Sequence, residues 1–346
     1  MKRLIWASLL LALAAIMMPV LFLRENRSMA APTPTETSEQ KHTVEIPTVT
    51  PPVSAPAVGA NGQAYAGLSD AETVFMVLDN GAVRETTMAE YLPCAIAAEM
   101  PASFEKEALK AQAVAARTYI VYCTLHENPK HPEASVCTQS GCCLAYSDQT
   151  KLRAAWGESY DKNMALMVAA VKDTDGQVLT FGDTPILASF HSSSSGKTES
   201  GSELWGDVPY LISVESPETE LDVPDFVSSV EVSQGDFRET VLLLHPETKF
   251  SEDASSWLGK MELDDSGRVR SVTIGGAKCS GAELRKLFAL RSTAFSLEYK
   301  DGVFLFTVRG YGHGLGMSQY GANVMAKNGF TFSEILLHYY PQTELC

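Results

Sequence analysis

Glu99 stands alone between Ala97-Ala98 and Met100-Pro101, in the stretch IAAEMPASFEKEALKAQAVAARTYIVY that spans residues 96–122. A glutamate at a helix end ordinarily faces water. Small apolar neighbours instead favour its neutral form, and a carboxyl group still protonated near neutrality can serve as a general acid. Three other stretches carry polar chemistry. SSSSGKTES (192–200) follows His191 and contains Lys197. RGYGHGLGMSQYGA (309–322) holds five glycines, a density that lets backbone approach another surface closely. Its His313, Ser318, Gln319 and Tyr320 offer hydrogen bonds and a ring that can stack on a sugar face; a tight structural turn is the alternative. HPEASVCTQSGCC (131–143) places His131, Cys137, Cys142 and Cys143 within thirteen residues. Soft thiolates plus imidazole at a tetrahedral count suit structural zinc, and disulfides from Cys137 are the alternative. The cysteines number seven, an odd count for an oxidising compartment.

Several activities are excluded. A phosphate loop needs glycine five residues before Gly196, where this chain has His191, and Gly201, Gly206 and Pro209 interrupt any following helix. The glycine-rich stretch lacks the Gly-x-Gly-x-x-Gly spacing of a dinucleotide site. Lys plus Arg is 27 against 42 Asp plus Glu, a formal charge of −15, which argues against a nucleic-acid partner.

The elements that must position these residues begin beyond an N-terminal anchor. Lys2-Arg3 precede twenty uncharged residues, 4–23. As helix that run rises about 30 Å, enough to cross a bilayer core, with the flanking charge predicting the N-terminus inside and the rest of the chain outside. Residues 1–24 are therefore read as a transmembrane signal-anchor, SMAA at 28–31 leaving late cleavage open. Residues 25–66 are rich in Pro, Thr, Ser and Ala and read as a disordered tether. Residues 67–346 form the remaining domain. There Thr87–Glu90 fits a capping box opening a helix, and Pro93 should kink that helix or delay its start. Ser103 can cap a second helix, with Glu105 and Glu107 at its positive end. QVLTF, PILASF and RVRSVTI read as strands, DFRETVLLL as a helix, and Lys300-Asp301-Gly302 as a hairpin turn between FSLEY and VFLFTVRG. Ser280–Glu283 caps a helix through Leu290, and Thr331–Glu334 caps the last one, stopped by Pro341. Helices and strands mix without a βαβ rhythm or repeat, which predicts an α+β, two-lobed fold.

EYLPCAIAAEMPASFEKEALKAQAVAARTYIVY, ASFHSSSSGKTESGSELWGDVPYLISVESP and GYGHGLGMSQYGANVMAKNGFTFSEILLHYYP, in that order, resemble the stage II sporulation protein D family of endospore-forming bacteria, whose domain the amidase-enhancer proteins share. The resemblance implies a membrane-anchored, extracytoplasmic lytic transglycosylase that cuts peptidoglycan glycan strands between N-acetylmuramic acid and N-acetylglucosamine. Such an enzyme leaves 1,6-anhydro ends and acts in septal wall remodelling and forespore engulfment, facing the septal wall from the mother-cell membrane. It implies a preference for strands stripped of stem peptides, and sporulation proteins P and M as partners. The family's catalytic glutamate directly precedes Met-Pro, which falls on Glu99, while Lys110, Arg117 and Lys197 fall at supporting positions. His191, Ser192 and Ser193, with His313, Ser318, Gln319 and Tyr320, are then the expected glycan contacts. Some members hold zinc through His-x5-Cys-x4-His-Cys; this chain matches at His131, Cys137 and Cys143 and has Cys142, itself a competent ligand, in place of the second histidine.

Residue chemistry agrees with that implication. Ordinary glycosidases need two carboxylates. A lytic transglycosylase needs one, because the substrate's C6 hydroxyl attacks the anomeric carbon. Two alternatives differ in what they require. A glycan-binding enhancer of a partner amidase needs the serine and glycine stretches but not Glu99. A zinc hydrolase needs an open metal position, which four ligands in one loop would close.

Overall fold

The computed structural model describes residues 68–126, 128–204, 206 and 208–346; the anchor expected over 1–24 and the tether over 25–66 lie outside the described residues. Among the described residues no helix is long and apolar enough to cross a membrane. The architecture is mixed α+β, with several small sheets, two large buried cores and a small third cluster at Cys94, Leu152 and Tyr160 among the described residues.

The first core is built around one helix. Strands Val74–Asp79 and Ala82–Thr87 form a hairpin closed by Asn80-Gly81, both at positive φ, the turn chemistry that matches strand twist. The hairpin runs into helix Met88–Glu99, capped by the Thr87 side chain on the Glu90 N–H. The expected capping box is only half formed, because the Glu90 carboxylate accepts from Thr86 Oγ1 instead of reaching back to the cap. Pro93 neither delays nor interrupts the helix. It forfeits the backbone bond to Ala89, and burial of Tyr91, Leu92, Cys94, Ala95 and Ile96 around it offsets the loss. The long helix Lys106–Leu125 starts at Glu105 rather than Ser103, the Glu105 N–H being satisfied by Asn323 Oδ1 at 2.8 Å from across the fold. Its middle, from Ala108 to Val121, is buried on nearly every side, as alanine-rich sequence permits. Helices Met88–Glu99, Tyr160–Asp173, Gln319–Lys327 and Phe332–Tyr339 pack against it.

The second core lies beneath two antiparallel sheets. One orders Phe295–Lys300, Val303–Arg309 and Val227–Ser233; the other orders Ala277–Ser280, Val269–Ile274 and Leu258–Leu263. Phe237 of helix Gln234–Leu244 stacks on Phe304 at 3.8 Å, with Phe288, Phe306 and Trp257 completing the cluster. The hairpin turn at Asp301-Gly302 and the capping boxes at Ser280 and Thr331 form as the sequence predicts. Helix Gly281–Leu287 stops short of Leu290, and PILASF is strand only at its two ends.

A short parallel pairing, Met317 with Phe190 and Ser318 with His191, joins the glycine-rich stretch to the serine run. Positive φ at Gly310, Gly312, Gly314 and Gly316 sets the path of the loop. At Gly312 a Cβ would come within 2.7 Å of His191 Cβ, and at Gly316 within 2.0 Å of the Ser189 carbonyl oxygen. Gly312 and Gly316 therefore serve close contact with the segment from Ser189 to His191 that leads into the serine run.

A candidate active-site cleft around Glu99

Glu99 is the last residue of helix Met88–Glu99, and Met100 leaves it in extended conformation. This end of a helix carries partial negative charge, which disfavours a carboxylate. The side chain is half-buried. Oε1 accepts the Ala145 N–H at 2.8 Å and Oε2 accepts from Gln319 Nε2 at 3.3 Å. Burial raises the carboxyl pKa, and these two hydrogen bonds oppose it without cancelling it. No cation among the described residues pairs with it. Glu99 is thus biased toward the acid form yet supplied with two donors that stabilise the anion once the proton leaves.

Around Glu99 opens a cleft of about 760 Å³. Segments distant in sequence line it: Ser140–Ala145, Leu187–Ser192, Tyr311–His313, Tyr119, Arg285 and Gln319. Gln319 is presented by the start of helix Gln319–Lys327, capped by Ser318 on the Gly321 N–H, and its amide also reaches Gln112 Oε1 at 3.5 Å. Buried His191 lies between the Leu315 carbonyl (Nδ1, 3.2 Å) and Ser194 Oγ (Nε2, 2.7 Å). His313 Nδ1 accepts the Leu315 N–H at 3.0 Å. Burial drives the His191 pKa well down, with His313 and Arg268 adding to it, and brings His313 to about 4, with Arg285 and Arg268 contributing. Both imidazoles are neutral at neutral pH. Glu99 is the one carboxylate among the described residues that line the cleft.

The cleft brings together Glu99, His191, Ser192, His313 and Gln319 from the expected set, along with Cys142 and Cys143. The others sit elsewhere. Arg117 is buried in a bidentate pair with Asp70, both bonds 2.6 Å, and also reaches Thr174 and the Val171 and Gln177 carbonyls. That network ties the chain near residue 70 to the long helix, away from Glu99. Lys110 pairs with Glu107 and Asp173 and lies over the Phe332 ring. Lys197 pairs with Glu215 at the surface. Ser193 is buried and exchanges backbone bonds with Tyr311. Ser318 serves as the helix cap and bonds the buried Glu218, while the Tyr320 ring packs edge-on against Phe104. Tyr119, Arg285, Tyr311 and the Ala145 N–H were missed by sequence reasoning. Tyr119, Arg285 and Ala145 sit in ordinary helix or loop contexts, whereas Tyr311 lies within the glycine-rich stretch, whose glycine density could have drawn attention to it.

His131, Cys137, Cys142 and Cys143 converge, their ligand atoms all within 4.8 Å of one another. His131 Nδ1 lies 2.9 Å from the Ala134 carbonyl, which can only accept, so Nε2 keeps its lone pair. Cys142 and Cys143 Sγ are 4.0 Å apart, so adjacency in sequence does not keep the two thiols from facing one point. All the cysteines are free thiols. A closed set of three sulfurs and one nitrogen with an oriented imidazole fits a structural zinc ion.

A family model described as "Stage II sporulation protein" matches residues 79–181. The chain is 35% identical over 269 residues to stage II sporulation protein D of Bacillus subtilis (strain 168), covering 77% of this chain and 76% of that protein. Against stage II sporulation protein D of Bacillus amyloliquefaciens it is 34% identical over 271 residues, with the same coverage. It is also 28% identical over 298 residues to a Bacillus subtilis protein named "Amidase enhancer", covering 71% of this chain and 39% of that protein.

Proposed function

The chain belongs to the stage II sporulation protein D family, and from that premise we propose that it is a lytic transglycosylase of peptidoglycan glycan strands. The observation that carries the reading is Glu99, a carboxyl group with raised pKa and two hydrogen-bond donors in a cleft that offers no second carboxylate among its described residues. Glu99 gives its proton to the glycosidic oxygen as the bond to the N-acetylmuramic acid anomeric carbon breaks, so N-acetylglucosamine leaves as an alcohol. The Ala145 and Gln319 donors hold the resulting carboxylate, which also stabilises the positive charge developing on the sugar ring. The carboxylate then takes the proton of the C6 hydroxyl as that oxygen bonds the anomeric carbon, closing the 1,6-anhydro ring and restoring the acid. Neutral His191 and His313 offer hydrogen bonds without adding positive charge near that ring.

One relative's name, amidase enhancer, favours a second reading: a glycan-binding module that stimulates a partner amidase. Glu99 separates the two. Peptide-free glycan strands digested with the full chain should yield anhydro ends by mass analysis, and Glu99→Gln should lower the yield by at least ~100-fold while glycan binding persists. Release at the wild-type rate by Glu99→Gln would end the assignment of Glu99 as the acid, and no anhydro ends from the wild type would leave the enhancer.

His131, Cys137, Cys142 and Cys143 would hold zinc as a structural ion, with no open position for hydrolysis. Its place would be to fix the loop from Cys137 to Ala145, whose last N–H binds Glu99. By the same family resemblance, the chain would be anchored through residues 4–23 with its domain facing the septal wall, working beside sporulation proteins P and M during engulfment.

A further inference from the structure

Arg285 lies in the cleft, on a helix of the second core, and no step of the proposed reaction uses it. Its Nε donates to the Leu290 carbonyl at 3.3 Å, which fixes the guanidinium plane. No carboxylate among the described residues pairs with it, and its two terminal nitrogens have no protein partner there. With both cleft histidines neutral, Arg285 is the lasting positive charge among the described residues lining the cleft. A chain of net charge −15 repels anionic polymers in general, so a half-buried cation with a free fork inside the cleft marks where one anionic group is accepted. The planar fork favours a carboxylate, which it can grip through two parallel bonds.

We propose that Arg285 binds the free lactyl carboxylate of N-acetylmuramic acid, and so is the side chain behind the preference for stripped strands that the family resemblance implies. The inference rests on the glycan-strand reading above. Peptide attachment turns that carboxylate into a neutral amide, which removes the charge and one acceptor oxygen and leaves the guanidinium without its partner. Because the recognised group hangs from the sugar whose anomeric carbon reacts, the same contact would seat that sugar beside Glu99.

The test compares the full-length protein on three strands: peptide-free, peptide-free with the lactyl carboxylates converted to methylamides, and peptide-bearing. Wild type should cleave the first with kcat/KM at least about tenfold above the second, the scale of one charge-assisted contact. Arg285→Gln should treat the two alike, and Arg285→Lys should keep part of the ratio. Equal rates on the first two strands with wild type, or an undiminished ratio in Arg285→Gln, overturns the assignment. The wild-type comparison decides even where a variant does not fold. A preference for the peptide-bearing strand that Arg285→Gln abolishes would place the recognised carboxylate on the stem peptide and equally overturn it. Binding of the first two strands to Glu99→Gln protein repeats the comparison without turnover. If wild type cuts no strand, the transglycosylase reading fails, while tighter binding of the carboxylate strand, lost on adding Arg285→Gln, still supports the Arg285 assignment.

Discussion

At the residue scale, burial drives Glu99, His191 and His313 toward their neutral forms, and the consequences for pH differ in sign. For Glu99 the folded carboxyl pKa lies above its ordinary 4.5, so the acid form persists to higher pH than in an unfolded chain. Cleavage needs that form at its first step, so kcat/KM should decline on the alkaline side at a pH above the ordinary carboxylate range. A profile whose alkaline limb fell at 4.5 would contradict the raised pKa. The same shift costs stability. A raised folded pKa contributes stability that is full below the unfolded value and is lost as pH rises through the folded one. Glu99→Gln removes that loss, so at neutral pH the variant should melt at or above the wild-type temperature while losing activity. For His313, at about 4 against 6.5, stability is full above 6.5 and is lost as pH falls toward 4. Thermal melts between pH 7 and 4 should show that decline, and His313→Gln should flatten part of it.

At the scale of elements, the site depends on how the glycine-rich stretch lies against the serine run. Gly316 has φ 64°, and a Cβ there would meet the Ser189 carbonyl oxygen at 2.0 Å and the Tyr340 ring at 2.9 Å. Gly329 has φ 89° with nothing within 4 Å of its Cβ position. Gly329→Ala should therefore cost only backbone strain, about 1–2 kcal/mol, whereas Gly316→Ala must also displace backbone. Denaturant unfolding should put Gly316→Ala clearly below Gly329→Ala, and equal losses would mean that the loop does not depend on that close approach. Helix ends divide along similar lines. Ser280 and Thr331 cap as their four-residue motifs say, because a capping box is complete within one turn. Ser103 does not cap, because Asn323 supplies the bond to the Glu105 N–H from far along the chain.

At the scale of the whole molecule, the cleft draws its lining from both cores, and the His131/Cys137/Cys142/Cys143 loop forms part of its edge. Reduced full chain should carry about one zinc per molecule, and chelation or Cys137→Ser should lower the melting temperature well beyond the change seen for an exposed substitution. Metal analysis near zero, with a disulfide at Cys137, would overturn the zinc proposal. Much of this molecule was legible in the sequence. The hairpin turn at Asp301-Gly302 and the capping boxes at Ser280 and Thr331 rest on forces that act over a few residues, whereas Glu99 was singled out by its small apolar neighbours and by a family motif. The tertiary structure alone decided what those residues face. Arg117 and Lys110 sit on the same helix as residues near the cleft, yet Arg117 is held by Asp70 and Lys110 by Glu107 and Asp173. Arg285 belongs to an unremarkable capped helix and becomes a cleft residue only when the second core docks beside the serine run. The physical reason is range: capping boxes and tight turns are written within a turn of chain, whereas the burial that raises the Glu99 pKa and the partner of a buried charge are set by packing between segments tens to hundreds of residues apart.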